Sequence, residues 1–342
     1  MGELRPLYSA AAWARKQLFS TPLNALITLA VGALIFLVMK PILVWVFTTA
    51  RWDVIPRTAR ILAIGPYPPD EAWRVWLALG LVLACTVMTI VSFRAPAASQ
   101  ARLKFVAGAS WAVAMVASAV LLLAVPMNLW GGLFLTLVLT VASLAIAFPL
   151  SVLLALGRTS KLPILRILST FFVELMRGVP LVSVLFLAWL MVPLFIPENW
   201  RSPQVIRAII GFAAFNAAYY SEYIRGGLQG VAKGQHEGAW SVGLSPFDTL
   251  MRIVLPQAIR SVIPGLVGQS ITAFKNTSLV VIIGLLDLLG ITQSILANPS
   301  FLGLERELYL FLMVIYFAFS SLMSWGGRRL EAIPPPPAGS WV

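Results

Sequence analysis

The chain has 342 residues, 59% of them hydrophobic and only 11% charged, with a mean hydropathy of +0.89. A soluble domain must cover its surface with charge, so this composition excludes one and indicates an integral membrane protein. The formal net charge of +12 would suit a nucleic-acid binder, but no nucleic-acid partner is expected, because the basic residues sort by membrane side.

Apolar runs long enough to cross a hydrocarbon layer of about 30 Å recur throughout, which predicts an all-α architecture rather than barrel strands. Eight spans are predicted, at 23–48, 74–93, 105–126, 129–156, 169–196, 204–224, 258–286 and 307–325. One set of alternate loops carries Arg5, Arg15, Lys16, Arg94, Arg102, Lys104, Arg158, Lys161, Arg166, Arg225, Lys233, Arg252, Arg260, Arg328 and Arg329. The other carries fewer: Arg51, Arg57, Arg60, Arg74, Arg201, Arg207 and Arg306. The positive-inside bias then puts both termini and the loop 234–256 in the cytoplasm. The first apolar run is too long for a signal-peptide core and reads as a retained span.

Spans one to three are almost uniformly Ala, Leu and Val; Lys40 is the exception and can snorkel. The stretch 49–73, with Trp52, Tyr67 and clustered prolines, reads as an interfacial segment. The single cysteine, Cys85, excludes an internal disulfide and reads as a small buried apolar residue. Pro126, Met127 and Asn128 make a short hairpin that separates an accessory region, 1–127, from a working core, 128–331. The Pro-rich tail 332–342 reads as an extended cytoplasmic end.

From residue 128 onward the spans contain polar and ionisable groups, each a functional candidate because insertion at the bilayer centre costs about 2.5 to 3.5 kcal/mol. Glu174 and Arg177 are three apart and can pair, and Gly178 with Pro180 marks a bend, flexing or static. In the sixth span Asn216, Tyr219, Tyr220 and Tyr223 share a face, which serves either helix–helix hydrogen bonds or a cavity wall. Glu222 can pair with Arg225. Gly226, Gly230 and Gly234 at the exit of that span read as a flexible elbow. Lys275, Asn276, Thr277 and Ser278 lie mid-span in the seventh run; the cation receives a substrate carboxylate or pairs with another helix. Asn276 to Ser278 also matches a glycosylation sequon, a chance match at membrane depth. His236 is the only histidine, which removes a His-based metal site and a Ser-His-Asp hydrolase.

The loop 234–256 reads GQHEGAWSVGLSPFDTLMRIVLP and resolves into two short helices. The first covers 235–242 and closes at Gly243. Ser245 caps the second, Pro246 takes its first position, Asp248 completes a capping box, and Leu255 with Pro256 ends it. Phe247, Leu250, Met251 and Val254 fall on one face while Asp248, Thr249 and Arg252 fall on the other. The apolar stripe packs under the protein's own helix ends or docks onto a partner.

Glu237, Ala239, Gly243, Ile253, Leu255 and Pro256 stand in a register that resembles the EAA loop of permease subunits of binding-protein-dependent ABC importers. The departure is Gly238, where that family usually has Ala, a change worth about 1 kcal/mol in a helix. Five surrounding runs resemble the polar amino-acid branch, within it the general L-amino-acid type: ELMRGVP from Glu174, EYIRGGLQG from Glu222, KGQHE from Lys233, LPQA from Leu255 and KNTSL from Lys275. The resemblance covers 128–331. It implies a type I importer core of five helices, here with three more before it, working by alternating access in a bacterial inner membrane.

The same resemblance assigns Glu237, Gly238, Ala239, Gly243, Phe247, Leu250, Met251, Arg252 and Pro256 to coupling with an ATPase subunit. It implies as further partners a second permease subunit, a paralogue, and a periplasmic amino-acid binding protein. The chain has no Gly-Lys pair and hence no phosphate loop, so no cofactor is expected on it; ATP and Mg belong to the ATPase. On this reading the chain is a transporter subunit, not an enzyme, and the path residues are Asn216, Tyr219, Tyr220, Lys275, Asn276, Thr277 and Ser278. Glu174, Arg177, Gly178, Pro180, Glu222 and Arg225 are structural or gating. Two alternatives remain: an ion-coupled secondary amino-acid transporter, and a scaffold permease whose partner alone binds substrate.

Overall fold

The computed structural model describes residues 10–94, 97–198 and 202–331; Arg5, Arg201 and the expected tail 332–342 lie outside these. The chain divides into two compact units between Asp53 and Val54. The first holds α1 (Ala10–Gln17) and α2 (Pro22–Val44), the latter prolonged by a π turn, Trp45–Thr49. Thr21 caps α2 by accepting from the Asn24 amide at 3.1 Å, and Pro22 follows in the first helical position, where its missing N–H costs nothing. Lys40 Nζ lies 5.8 Å from the centre of the Phe36 ring.

The second unit comprises α3 (Val54–Ile64), α4 (Ala72–Arg94), α5 (Ala97–Leu123), α6 (Gly132–Thr159), α7 (Pro163–Gly178), α8 (Leu181–Phe186), α9 (Gln204–Gly230), α10 (Lys233–Ser241), α11 (Pro246–Asp248), α12 (Leu255–Ser261), α13 (Ile263–Asn276), α14 (Leu288–Leu296) and α15 (Glu305–Glu331). Among the described residues, six helices are long and apolar enough to cross a membrane: α2, α4, the Phe105–Leu123 part of α5, α6, α13 with its extension to Ile283, and α15. They are seven if the bent pair α7–α8 is one span.

The structure refines three of the expected segments. The stretch 49–73 contains α3, whose Val54, Thr58 and Leu62 recur every fourth residue and point inward with Ile64, while Arg57 and Arg60 stay exposed, so one face of this helix joins the core. Tyr67 beyond it is fully buried, edge-on to Phe134 at 5.8 Å. The expected run 169–196 bends at Gly178 and Pro180, as those residues suggest, and sharply enough to make two helices, α7 and Leu181–Leu194, meeting at 111°. Pro180 explains this: the residue before a proline is pushed out of the helical region, and Val179 is extended at φ −113, ψ 149. The expected run 258–286 also breaks at Val262, then tightens from α13 into a 3-10 turn over Thr277–Ile283 that ends at Gly284.

Among the described residues, the most extensive helix–helix packing is α6 against α9. Thr136, Thr140, Ser143, Ala147, Ser151 and Ala155 form a buried stripe of small side chains along α6, met by Ala213, Ala217, Ala218 and Ser221 of α9. Small residues let two backbones approach within van der Waals reach, the means by which helices associate where no hydrophobic effect drives them. The four hydroxyls donate to carbonyls of their own helix, so no polar atom there competes for the neighbour. The α4–α5 hairpin is pinned by Trp111 Nε1 donating to Thr89 Oγ1 at 2.9 Å and the Cys85 thiol donating to the Ser110 carbonyl at 3.4 Å.

Candidate functional site

The loop 234–256 emerges at one end of the α6–α9 pair. α10 closes at Gly243, whose φ of +80 is a left-handed conformation that a side chain disfavours. Ser245 Oγ accepts from the Asp248 amide at 3.1 Å, which forms the expected N-cap, and it donates to the Asp248 carboxylate at 2.6 Å, so the carboxylate meets the capping hydroxyl. Pro246 follows at the first position.

One expectation fails here: the helix does not end at Leu255 and Pro256. Thr249–Val254 widens into a π turn, and the chain runs on as α12 with Pro256 in its first turn. The wider turn leaves room for a proline that lacks an N–H and would crowd a tight helix interior. Leu255 and Pro256 therefore make a continuous link from the loop into α12.

This linkage is braced on two sides. Gln257 Nε2 donates to Gln235 Oε1 at 3.1 Å, tying α12 to α10, and Ala239 of α10 is buried. Gly227 of α9 lies so near α12 that an added Cβ would sit 2.5 Å from the Ala258 carbonyl oxygen. Against this packed base the other face is bare. Phe247 is 68% exposed, Trp240 56%, Val242 75% and Met251 37%, while Val254 is buried and Leu250 half-buried. Glu237, Gly238 and Gly243 are exposed with them, and Arg252 pairs with Asp248 at 3.1 Å in open surroundings.

Above the loop an ionic network crosses three helices. Glu222 of α9 accepts from Arg225 Nη2 at 2.8 Å, from Arg158 Nη1 of α6, and faces Arg177 Nη1 of α7 at 3.6 Å. Arg158 also donates from Nη2 to Glu174 Oε1 at 3.0 Å. Glu174 thus pairs with Arg158; Arg177 turns to Glu222 and stands 5.8 Å over the Tyr219 ring. Sequence spacing indicates the Glu222–Arg225 pair but not Arg158, which follows the predicted end of its span and so falls among the loop residues. Its side chain is only 12% exposed, and a basic residue one turn past a small-residue stripe was the available signal.

The polar residues of the sixth and seventh spans divide. Asn216 is buried, donates to the Phe212 carbonyl at 2.8 Å and accepts from Gln269 Nε2 of α13 at 3.1 Å. Tyr220 shares a hydrogen bond with Ser270 of α13, while Tyr219 packs on Phe215 with ring centres 4.9 Å apart. These join helices. Thr277 is buried and donates to the Phe274 carbonyl at 2.7 Å, and Ser278 donates to the Lys275 carbonyl at 2.9 Å. Lys275 is exposed, in line with exposed Gly268 and Thr272 along α13, and Asn276 is half-buried beside it.

At the opposite end of α6, Asp287 is fully buried and caps α14 by accepting from the Gly290 amide at 2.9 Å. Tyr316 of α15 donates to its other oxygen at 3.4 Å, and Thr136 of α6 accepts from the neighbouring Leu288 amide at 3.1 Å. Burial pushes the Asp287 carboxyl up to about 6, against the pull of its two amide bonds. Asp287 lies one position beyond a predicted span, where an acidic residue carries no functional signal in sequence.

Comparison with known proteins adds the following. A family model described as "Binding-protein-dependent transport system inner membrane component" matches residues 147–332. The chain is 39% identical to the inner membrane amino-acid ABC transporter permease protein YhdY of Escherichia coli (strain K12), over 94% of this chain and 92% of that protein. It is also 39% identical to the glutamate/glutamine/aspartate/asparagine transport system permease protein BztC of Rhodobacter capsulatus, over 59% of this chain and 47% of that protein. A crystal structure of an amino acid ABC transporter with histidines superposes with a TM-score of 0.52 at 28% identity, over 58% of this chain and 91% of that one.

Proposed function

Since the chain belongs to the family of binding-protein-dependent transport system inner membrane components, we propose a working arrangement for it from its own geometry. It is the membrane permease component of an ABC-type amino-acid importer, non-catalytic itself and paired with an ATPase in a separate chain. Its helices number eight in the bilayer on this proposal: the six apolar ones, the bent α7–α8 pair, and α9, which is long enough at 27 residues and shielded on its polar side by α6 and α13. Three precede residue 128 and five follow it. Both termini face the cytoplasm of a bacterial inner membrane, as the distribution of basic residues supports.

The observation that carries the mechanism is the bare apolar face of Phe247, Met251, Trp240 and Val242 on a short helix pair braced against α9 and α12. An aromatic patch beyond the helix ends has no lipid to cover it, and a nucleotide-driven partner gains a rigid handle there. The ATPase, using ATP and Mg, binds this face; its closure moves α10 to α12 as a unit and, through them, the spans.

Lys275 supports a polar surface along α13. A lysine exposed at membrane depth is not stable against lipid tails, so the face of Gly268, Thr272 and Lys275 borders the translocation path or a second permease subunit, a paralogue. A periplasmic amino-acid binding protein delivers substrate from the other side. Asn216, Tyr219 and Tyr220 shape this path as the helix contacts behind it.

The complex purified from its native membrane and reconstituted in proteoliposomes tests this. Uptake of labelled amino acids should require ATP and the co-purified ATPase, and should survive an ionophore that collapses ion gradients. Gradient-driven uptake by the chain without ATPase would overturn the proposal in favour of secondary transport.

A further inference from the structure

Glu222 receives guanidinium groups from three helices, and the three links differ. Arg225, on its own helix, is held at 2.8 Å with a second contact at 3.3 Å. Arg158 of α6 is the more buried partner and is itself held by Glu174, so it is an anchor. Arg177 of α7 is the loosest: 3.6 Å away, 37% exposed, and balanced between Glu222 and the Tyr219 ring.

Position gives that loosest link its meaning. Arg177 immediately precedes Gly178, the last residue of α7, at the 111° bend into Leu181–Leu194. Open space surrounds the place where a Cβ would sit on Gly178, so nothing packs the bend shut on that side. Glu222 lies two turns before the end of α9, and α9 leads through Val231 and Ala232 into α10. Because Gly227 sits directly against Ala258 and Gln235 is tied to Gln257, a displacement of α10 to α12 carries the end of α9 with it. Among the described residues, that end and the α7 bend meet directly in the ionic contact of Arg177 with Glu222.

We propose that Glu222 is the positioning residue that passes the movement of the loop 234–256 to the bend at 178–180, with Arg177 as the link that breaks and re-forms in each transport cycle and Arg158 as the anchor that keeps Glu222 in place. The inference rests on the coupling role proposed above for the loop. Release of Arg177 leaves Glu222 still neutralised by two guanidiniums, so the bend moves without stranding a buried charge. The cation is not stranded either, since it lies over the face of Tyr219.

The test uses the whole complex in proteoliposomes, with ATP hydrolysis and uptake of a radiolabelled mixture of the common L-amino acids measured together. Arg177→Gln should raise the ATP consumed per amino acid transported by on the order of tenfold, within the range that network residues change coupling. Arg177→Lys should restore most of the ratio by keeping the charge. A purely structural Arg177 would lower both activities together and leave their ratio fixed; that result, or an unchanged ratio with full activity, overturns the inference. Arg177→Gln leaves Glu222 with two partners, so it assembles where Glu222→Gln would not. Phe247→Asp separates the two levels. If it still retains the ATPase, the underlying coupling reading has failed; if it loses the ATPase while Arg177→Gln keeps the wild-type ratio, only this inference has.

Discussion

Arg158 and Glu222, 64 positions apart in the sequence, meet side chain to side chain where α6 leaves its packed stripe against α9. The guanidinium spans two carboxylates, Glu222 on α9 and Glu174 on α7, and so ties three helices at one point. A planar fork with five donors can do this; an ammonium cannot reproduce it.

Arg158→Ala should therefore lower the stability of the detergent-solubilised chain by about 2 kcal/mol, between the value of a surface pair and that of a fully buried one. Arg158→Lys should recover less than half of this loss. Thermal unfolding followed by circular dichroism checks both.

Gly227 offers a sharper steric case. A methyl group there would meet the Ala258 carbonyl, and backbone cannot rotate away, so Gly227→Ala should push α12 off α9 at a cost of about 1 to 3 kcal/mol. It should also reduce the amount of ATPase that co-purifies. Gly226→Ala, one position away in open space, serves as the control and should be near neutral.

Ser245→Ala removes the acceptor for the Asp248 amide and should cost about 1 kcal/mol locally. Hydrogen exchange should quicken at the amides of 246–254 and stay unchanged in α13. Ser245→Asp should restore protection.

Asp287 makes stability depend on pH. Its folded-state carboxyl titrates at about 6, above the value of about 3.9 in an unfolded chain. The folded form holds the extra proton between these values, so stability is full below about pH 4 and falls as pH rises through 6. The loss is about 3 kcal/mol and is complete by pH 7. Melting temperatures measured from pH 4.5 to 7.5 should show that fall after subtraction of the Asp287→Asn profile, which should be flat in this window.

Asn216 and Lys275 should separate in transport assays. Asn216→Ala breaks a bond to Gln269 worth about 0.6 kcal/mol on average for interhelical pairs, and should alter stability with little change in which amino acids are taken up. Lys275→Ala should cut uptake without loss of folded protein. Equal and unchanged uptake in both would favour a scaffold role for this subunit.

Much of the loop was legible because its determinants are local. Gly243, Ser245, Pro246 and Asp248 all lie within one six-residue stretch, and spacing alone indicates their geometry. The π turn at Thr249–Val254 was not, since it reconciles Pro256 with continued helix, a compromise that propensity does not express. Bulk hydropathy found the long helices but missed α3, which is too short and too one-sided to read as a span. The pairing of Arg158 with Glu222 and of Asn216 with Gln269 depends on which helices become neighbours, and nothing within either segment states that.

The uncovered aromatic face on α10 to α12 also bears on how cells make this protein. Phe247 and Trp240 standing in water invite self-association, so a subunit released from the translocation machinery before its motor arrives is a target for clumping and for quality-control proteolysis. Balanced synthesis of the subunits, and co-expression in the laboratory, would protect it, and an overproduced solitary chain should be short-lived.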